Sequence, residues 1–198
     1  MTLRLGLTGS IGMGKTTVAR MFAEENVPVF DADRVVHQLQ GPEGALVAEI
    51  EAAFPGTTSA AGVDRSALSE RVLAEPEKLR QLESLIHPAV AREREAFLAA
   101  HSAAPVVVLD IPLLFEKGGW DLVDKIVVVS APAAVQRARV LAREGMTAKK
   151  FERILALQLP DAEKRARADF VIRTDGSMDE TRASVRRILA CLAAGADS

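Results

Sequence analysis

The sequence predicts an α/β fold: a five-stranded parallel sheet in a three-layer arrangement with helices, carrying a helical insertion and a basic helical lid. Three observations lead there. A glycine-rich loop at residues 9–16 joins an apolar run to an amphipathic helix. Apolar runs of strand length recur at residues 27–30, 106–110, 124–129 and 169–173. Between residues 34 and 101 that alternation stops and helical patterning takes over.

Leu3 to Thr8 reads as a short strand, and Thr17 to Glu25 as a helix with Val18, Met21 and Phe22 on one face. Between them, Gly9-Ser10-Ile11-Gly12-Met13-Gly14-Lys15-Thr16 fits G-x-x-x-x-G-K-[ST]. Gly9, Gly12 and Gly14 remove side chains where the backbone must curl around phosphate oxygens. The exposed N–H groups and the helix N-terminus then face an anion. Lys15 adds a full charge for the β- and γ-phosphates, and the Thr16 hydroxyl suits Mg²⁺. Gly12, Met13, Gly14, Lys15, Thr16 and Thr17 are the expected ATP-binding residues. A glycine-rich turn with a chance lysine is the competing reading; the flanking strand and helix favour phosphate.

Val27 to Phe30 reads as the second strand, followed at once by Asp31 and Asp33. If this strand runs parallel to the first, both carboxylates reach the crevice outside the strand ends. One could hold Mg²⁺ through water or accept a proton from an attacking hydroxyl. Capping of the next helix explains one of them as well, but not both.

The 34–101 block is read as an inserted helical subdomain for the second substrate. Leu46, Ile50 and Phe54 recur four apart, residues 55–62 look like a Gly/Ser/Thr/Pro loop, Ser66 to Ala74 like a short helix, and Pro76 opens a helix reaching Ala100, with a bend expected before Pro88. Its basic residues read as solvated helix faces. His87, held before Pro88, has a structural and a site role equally open.

Val106 to Asp110 has the apolar run of a strand buried on both faces, ending in an acid. Residues 111–116 continue toward the crevice. Asp124 to Val129 is the next strand, and Ser130 and Pro132 open a helix to about Glu144. Thr147 starts another. Residues 137–167 hold nine basic side chains against four acidic ones. A charged helical face is the ordinary explanation, but a lid over ATP needs the same arginines. Asp169 to Arg173 is the last strand and 174–176 a turn; Ser177 and Glu180 form a capping box, Val185, Ile188, Leu189 and Leu192 give the final helix a core stripe, and a loose tail is expected after Ala193.

Composition sets the bounds. The chain has 198 residues, 48% hydrophobic and 26% charged, with a net charge of -2. That suits a globular core with an insertion and gives no support for nucleic acid as the main partner. Cys191 is the only cysteine, so no internal disulfide forms. The N-terminus enters the first strand directly and no 18-residue apolar run occurs, so a cytoplasmic protein without a membrane partner is expected, as a monomer or weak homo-oligomer. With Asn26 the only asparagine, the N-K-x-D guanine-reading motif is absent, which argues against a GTPase switch.

Taken together, Gly6 through Thr17, Asp31-Ala-Asp33, His87-Pro88, Asp110-Ile-Pro-Leu-Leu-Phe-Glu116, Arg139, Arg143, Gln158, Glu163-Lys-Arg165 and Ala168 through Ile172 resemble the dephospho-CoA kinase family over nearly the whole chain. The resemblance implies transfer of the ATP γ-phosphoryl group to the ribose 3′-hydroxyl of dephospho-CoA, with Mg²⁺, by a core of residues 1–33 and 102–198, a lid at about 139–167 and an acceptor subdomain at 34–101. It implies Asp33 as the base, with Lys15, Arg139 and Arg143 as its catalytic companions. Arg65, His87, Pro112, Leu113 and Glu116 would line the acceptor, residues 173–176 the adenine. Thr16 would meet the metal, with Asp31 or Asp110 as candidates through water. Another small-molecule or nucleotide kinase of the same fold is the alternative. Three positions depart from the family pattern: Ser10, Met13, and Thr174 where an asparagine is expected.

Overall fold

The computed structural model describes residues 2–73, 75–116 and 118–195. In chain order the elements are β1 (Leu3–Thr8), α1 (Lys15–Glu24), β2 (Val29–Asp31), α2 (Ala32–Leu39), α3 (Val47–Ala53), β3 (Thr58–Ser59), β4 (Gly62–Val63), α4 (Arg65–Leu73), α5 (Pro76–Ala100), β5 (Val106–Asp110), β6 (Lys125–Ser130), α6 (Ala133–Leu141), α7 (Ala148–Ala156), α8 (Asp161–Ala166), β7 (Phe170–Arg173) and α9 (Met178–Gly195). The chain divides into two compact units, Met1–Phe30 with His101–Ser198, and Asp31–Ala100.

The first unit is built on a five-stranded parallel sheet in the order β2-β5-β1-β6-β7. β1 lies in the middle, pairing Leu5 with Val108 on one side and Leu7 with Val127 on the other. Strands covered on both faces must be apolar along their length. Accordingly Leu5, Leu7, Val108, Val127, Val129 and Ile172 are buried, packed with Val18, Met21 and Phe22 of α1 and Val185, Ile188 and Leu192 of α9. The capping box of α9 forms: Ser177 N–H donates to Glu180 Oε2 at 2.7 Å, and Glu180 N–H to Ser177 Oγ at 3.2 Å. Thr147 caps α7, its Oγ1 accepting from the Lys150 N–H.

Several boundaries shift from the sequence expectation. α1 starts two residues early, because Gly14 in the left-handed region ends the loop. β2 starts at Val29, since the Val27 N–H is taken by the Phe22 carbonyl as α1 closes and Pro28 has no N–H to offer. α6 stops at Leu141, short of Glu144. α9 continues past Ala193 to Gly195; the rest of the expected loose tail, 196–198, lies outside the described residues.

In the second unit, Leu39, Leu46, Ile50, Phe54, Leu68, Val72 and Leu82 form a separate core. α5 runs through Pro88 as one 25-residue helix. The expected 55–62 loop holds a small antiparallel hairpin, β3 with β4. It is fastened from outside: the Glu51 carboxylate accepts from the Gly56 N–H and the Thr58 hydroxyl, and the Val63 N–H donates to the Gln40 carbonyl. Gly62 has φ 96°, and a Cβ there would lie 2.4 Å from the Gln40 carbonyl oxygen. Among the described residues no helix is long and apolar enough to cross a membrane.

Candidate active site

β1 ends at Thr8, and the chain turns through Gly9–Gly14 into α1. Gly12 and Gly14 take φ 78° and 90°, where an L side chain is strained. A Cβ on Gly12 would also meet Val140 Cγ2 at 2.4 Å. The loop is bolted down from several sides. The Met13 side chain is buried in the core cluster, and its Sδ accepts from the Ala131 N–H at 3.1 Å. The Met13 carbonyl accepts from the Thr174 hydroxyl at 2.7 Å. Ile11 is held at both ends, its N–H by Gln158 Oε1 at 3.0 Å and its carbonyl by Gln136 Nε2 at 2.8 Å.

Lys15 follows Gly14 and pairs with Asp110 at the end of β5. Thr16, beside it, is exposed. A cavity of about 240 Å³ opens next to the loop, lined by Gly12, Gly14, Thr17, Arg139, Arg143 and Thr174 among others. Arg139 is fixed there by two contacts, Nη1 to Thr174 Oγ1 at 3.0 Å and Nη2 to the Thr174 carbonyl at 2.5 Å. Thr174 thus joins β7, α6 and the loop, and fills the position where an asparagine was expected. The structure therefore gathers Gly12, Gly14, Thr17, Arg139 and Arg143 around one space, with Lys15 and Asp110 as a pair.

The segment after β5 is committed internally. The Pro112 carbonyl accepts from Thr8 Oγ1 at 3.0 Å, and Leu113 is half-buried. Glu116 Oε1 lies 2.8 Å from Lys164 Nζ and accepts from the Leu159 N–H at 2.8 Å. Burial pushes the Glu116 carboxyl up, but the Lys164 ammonium and the Leu159 N–H outweigh it and hold the group below the usual carboxylate range.

The remaining expected residues belong to the helical unit. Asp31 caps α2, accepting from the Arg34 N–H at 2.9 Å, while Asp33 in the first turn is exposed with no hydrogen bond or ion pair among the described residues. Capping therefore accounts for Asp31 and leaves Asp33 available. Arg65 Nη1 lies 3.2 Å from His37 Nε2, and His87 is exposed on α5. Among the described residues no group of three or more His, Cys, Asp or Glu side chains could hold a metal by protein ligands alone.

Sequence reasoning missed Gln136, the burial of Lys164 and the tethering role of Thr174. Gln136 left a signal: it lies one turn before Val140, a polar residue on the buried stripe of α6. Lys164 left none, being one of nine basic residues in its stretch.

The family model for dephospho-CoA kinase (CoaE) matches residues 3–180. A dephospho-CoA kinase of Novosphingobium aromaticivorans is 60% identical over 93% of this chain and 92% of its own. A crystal structure from Thermus thermophilus superposes with a TM-score of 0.84 at 34% identity, covering 96% of this chain and 97% of that one. A dephospho-CoA kinase structure from Campylobacter jejuni, at 22% identity and TM-score 0.67 over 96% of this chain and 97% of its own, shares the fold.

Proposed function

The chain belongs to the dephospho-CoA kinase family, and from that premise we propose that its loop at residues 9–16 holds ATP, its Asp33 activates the ribose 3′-hydroxyl of dephospho-CoA, and its Arg139 and Arg143 attend the donor nucleotide. The enzyme is a kinase that phosphorylates dephospho-CoA, in coenzyme A biosynthesis.

One observation carries the donor half: Gly12, Gly14, Thr17 and the two arginines line a single cavity, and Lys15, the residue after Gly14, pairs with Asp110. The loop N–H groups and the α1 N-terminus favour phosphate there. Lys15 supplies the charge for the transferring group. In the transfer, the acceptor oxygen bonds to the γ-phosphorus, the bond to the β–γ bridging oxygen breaks, ADP leaves, and the hydroxyl proton passes to Asp33.

Mg²⁺ fits this donor set. Thr16 presents an exposed hydroxyl at the α1 N-terminus, and no cage of protein carboxylates is present among the described residues. That suits a cation that keeps waters and substrate phosphate oxygens and takes few protein ligands. Thr16 would hold it, with Asp110 reaching it through water. When bound, the ion neutralises phosphate charge.

A coupled ADP-release assay with ATP, Mg²⁺ and dephospho-CoA tests the reading, with phosphorus NMR of the product to locate the new phosphate. Turnover dependent on dephospho-CoA with a 3′-phosphate product is expected. Turnover no greater than without acceptor, or greater with another acceptor alcohol, would overturn it.

A further inference from the structure

Lys164 is a lysine with a wholly buried side chain, on the short helix α8. Its ammonium lies 2.8 Å from Glu116 Oε1, and among the described residues it has no other partner. A buried ammonium is costly to maintain, and a buried pair adds little stability over apolar residues of similar size. What such a pair does supply is fixed geometry, and here it points in one direction. The same Glu116 oxygen accepts the Leu159 N–H at 2.8 Å. Leu159 follows Gln158, whose Oε1 takes the Ile11 N–H at 3.0 Å. Ile11 lies inside the glycine loop, two residues from Gly9 and one from Gly12. A continuous run of polar contacts therefore leads from a buried charge on α8 to the backbone of the loop.

We propose that Lys164 is a positioning residue for ATP: it fixes Glu116, Glu116 fixes the Gln158–Leu159 turn, and Gln158 holds the Ile11 amide so that the loop is shaped before phosphate arrives. A loop already held in its binding form loses less conformational entropy on binding. This gives Glu116 an internal role on the donor side. The inference rests on the loop being the ATP site. It also separates Ile11 from the N–H groups that meet phosphate, because its N–H is already used.

The test uses the full chain with Lys164→Met, Gln158→Ala and the double variant. Binding of Mg²⁺–ADP is measured by calorimetry without acceptor, alongside steady-state kinetics and thermal melting. Each single variant is expected to weaken ADP binding and raise the KM for ATP roughly tenfold, about 1.4 kcal/mol, with kcat and the KM for dephospho-CoA changed less than twofold. The double variant is expected to be no worse than the more affected single one, since both act through the Ile11 contact. Should K164M fail to fold, K164M/E116Q, which buries no charge, takes its place, read on ADP binding and the KM for ATP. A lower melting temperature with an unchanged KM for ATP would mean a purely structural pair and overturn the proposal. So would multiplicative effects in the double variant. Wild-type protein that binds no ADP would instead overturn the assignment of the loop.

Discussion

Replacing Thr174 by valine removes one hydroxyl and leaves the shape of the side chain unchanged. That hydroxyl makes two contacts, donating to the Met13 carbonyl at 2.7 Å and accepting from Arg139 Nη1 at 3.0 Å. The residue is 8% exposed, so water cannot readily replace the lost donor. Stranding the Met13 carbonyl costs about 1–3 kcal/mol. Arg139 is exposed and keeps its contact to the Thr174 carbonyl, so its share is about 0–1 kcal/mol. The sum, roughly 1–4 kcal/mol, corresponds to a fall in melting temperature of about 2–16 °C for a chain of this size. The loop also loses a tether beside the cavity, so the KM for ATP should rise several-fold while the KM for dephospho-CoA does not move. Differential scanning calorimetry and initial-rate kinetics read both effects. Thr174→Ser, which keeps the hydroxyl, should restore the KM for ATP. A Thr174→Val protein that melts within a degree of wild type and keeps its KM for ATP would refute the claim that this hydroxyl pins the loop.

Lys15→Met should lower kcat by about 10²–10³-fold, the cost of removing one preorganised charge from a transferring group, measured as ADP release at saturating acceptor. Asp33→Asn should lower turnover by about 10²–10⁴-fold while calorimetric ADP affinity and the melting temperature stay at wild-type values, because Asp33 is exposed and has no partner among the described residues. Near-normal turnover in that variant would remove Asp33 as the base. Glu116, Asp124 and Asp169 are all held below their ordinary values: Arg4 lowers Asp124, and the Lys125 ammonium and the Ile126 N–H outweigh burial at Asp169. A carboxyl lowered in the folded state stabilises it above the ordinary carboxylate pKa, about 4, and that contribution is lost as pH falls through the lowered value. The urea midpoint should therefore be flat above about pH 5 and fall below about pH 4, with a shallower fall in Glu116→Gln.

Local signals made the donor half legible. A strand, a glycine loop and a helix are encoded within residues 3–24, and Gly12 and Gly14 do adopt the positive φ that only glycine takes easily. The Ser177–Glu180 box and the Thr147 cap are likewise four-residue signals. What escaped was either too short or too distant. β3 and β4 have two residues each, too few for any alternation to show. Gln158 and Ile11 are 147 positions apart, and Thr174 and Met13 161. No periodicity links such pairs; only the order β2-β5-β1-β6-β7 brings them together. Lys164 shows the limit of counting charges, because it adds the same +1 as its exposed neighbours Arg165 and Arg167 yet is fully buried.

Met13 ties these observations together. In sequence it is an odd long side chain in a loop of small residues. In the fold that side chain leaves the loop for the core, where an unbranched thioether fits an irregular space. Its sulfur takes the Ala131 N–H after β6, and its carbonyl takes the Thr174 hydroxyl after β7. Ile11, two residues earlier, is held by α6 through Gln136 and by the segment after α7 through Gln158. The anchors thus come from α6 and from the segments that follow β6, α7 and β7, and α8 reaches the loop through Lys164 and Glu116. The donor site is therefore shaped by residues 116–174 acting on residues 11–13. That is why a motif confined to eight residues announces phosphate binding, while how firmly the loop is held depends on a stretch of chain more than a hundred residues away.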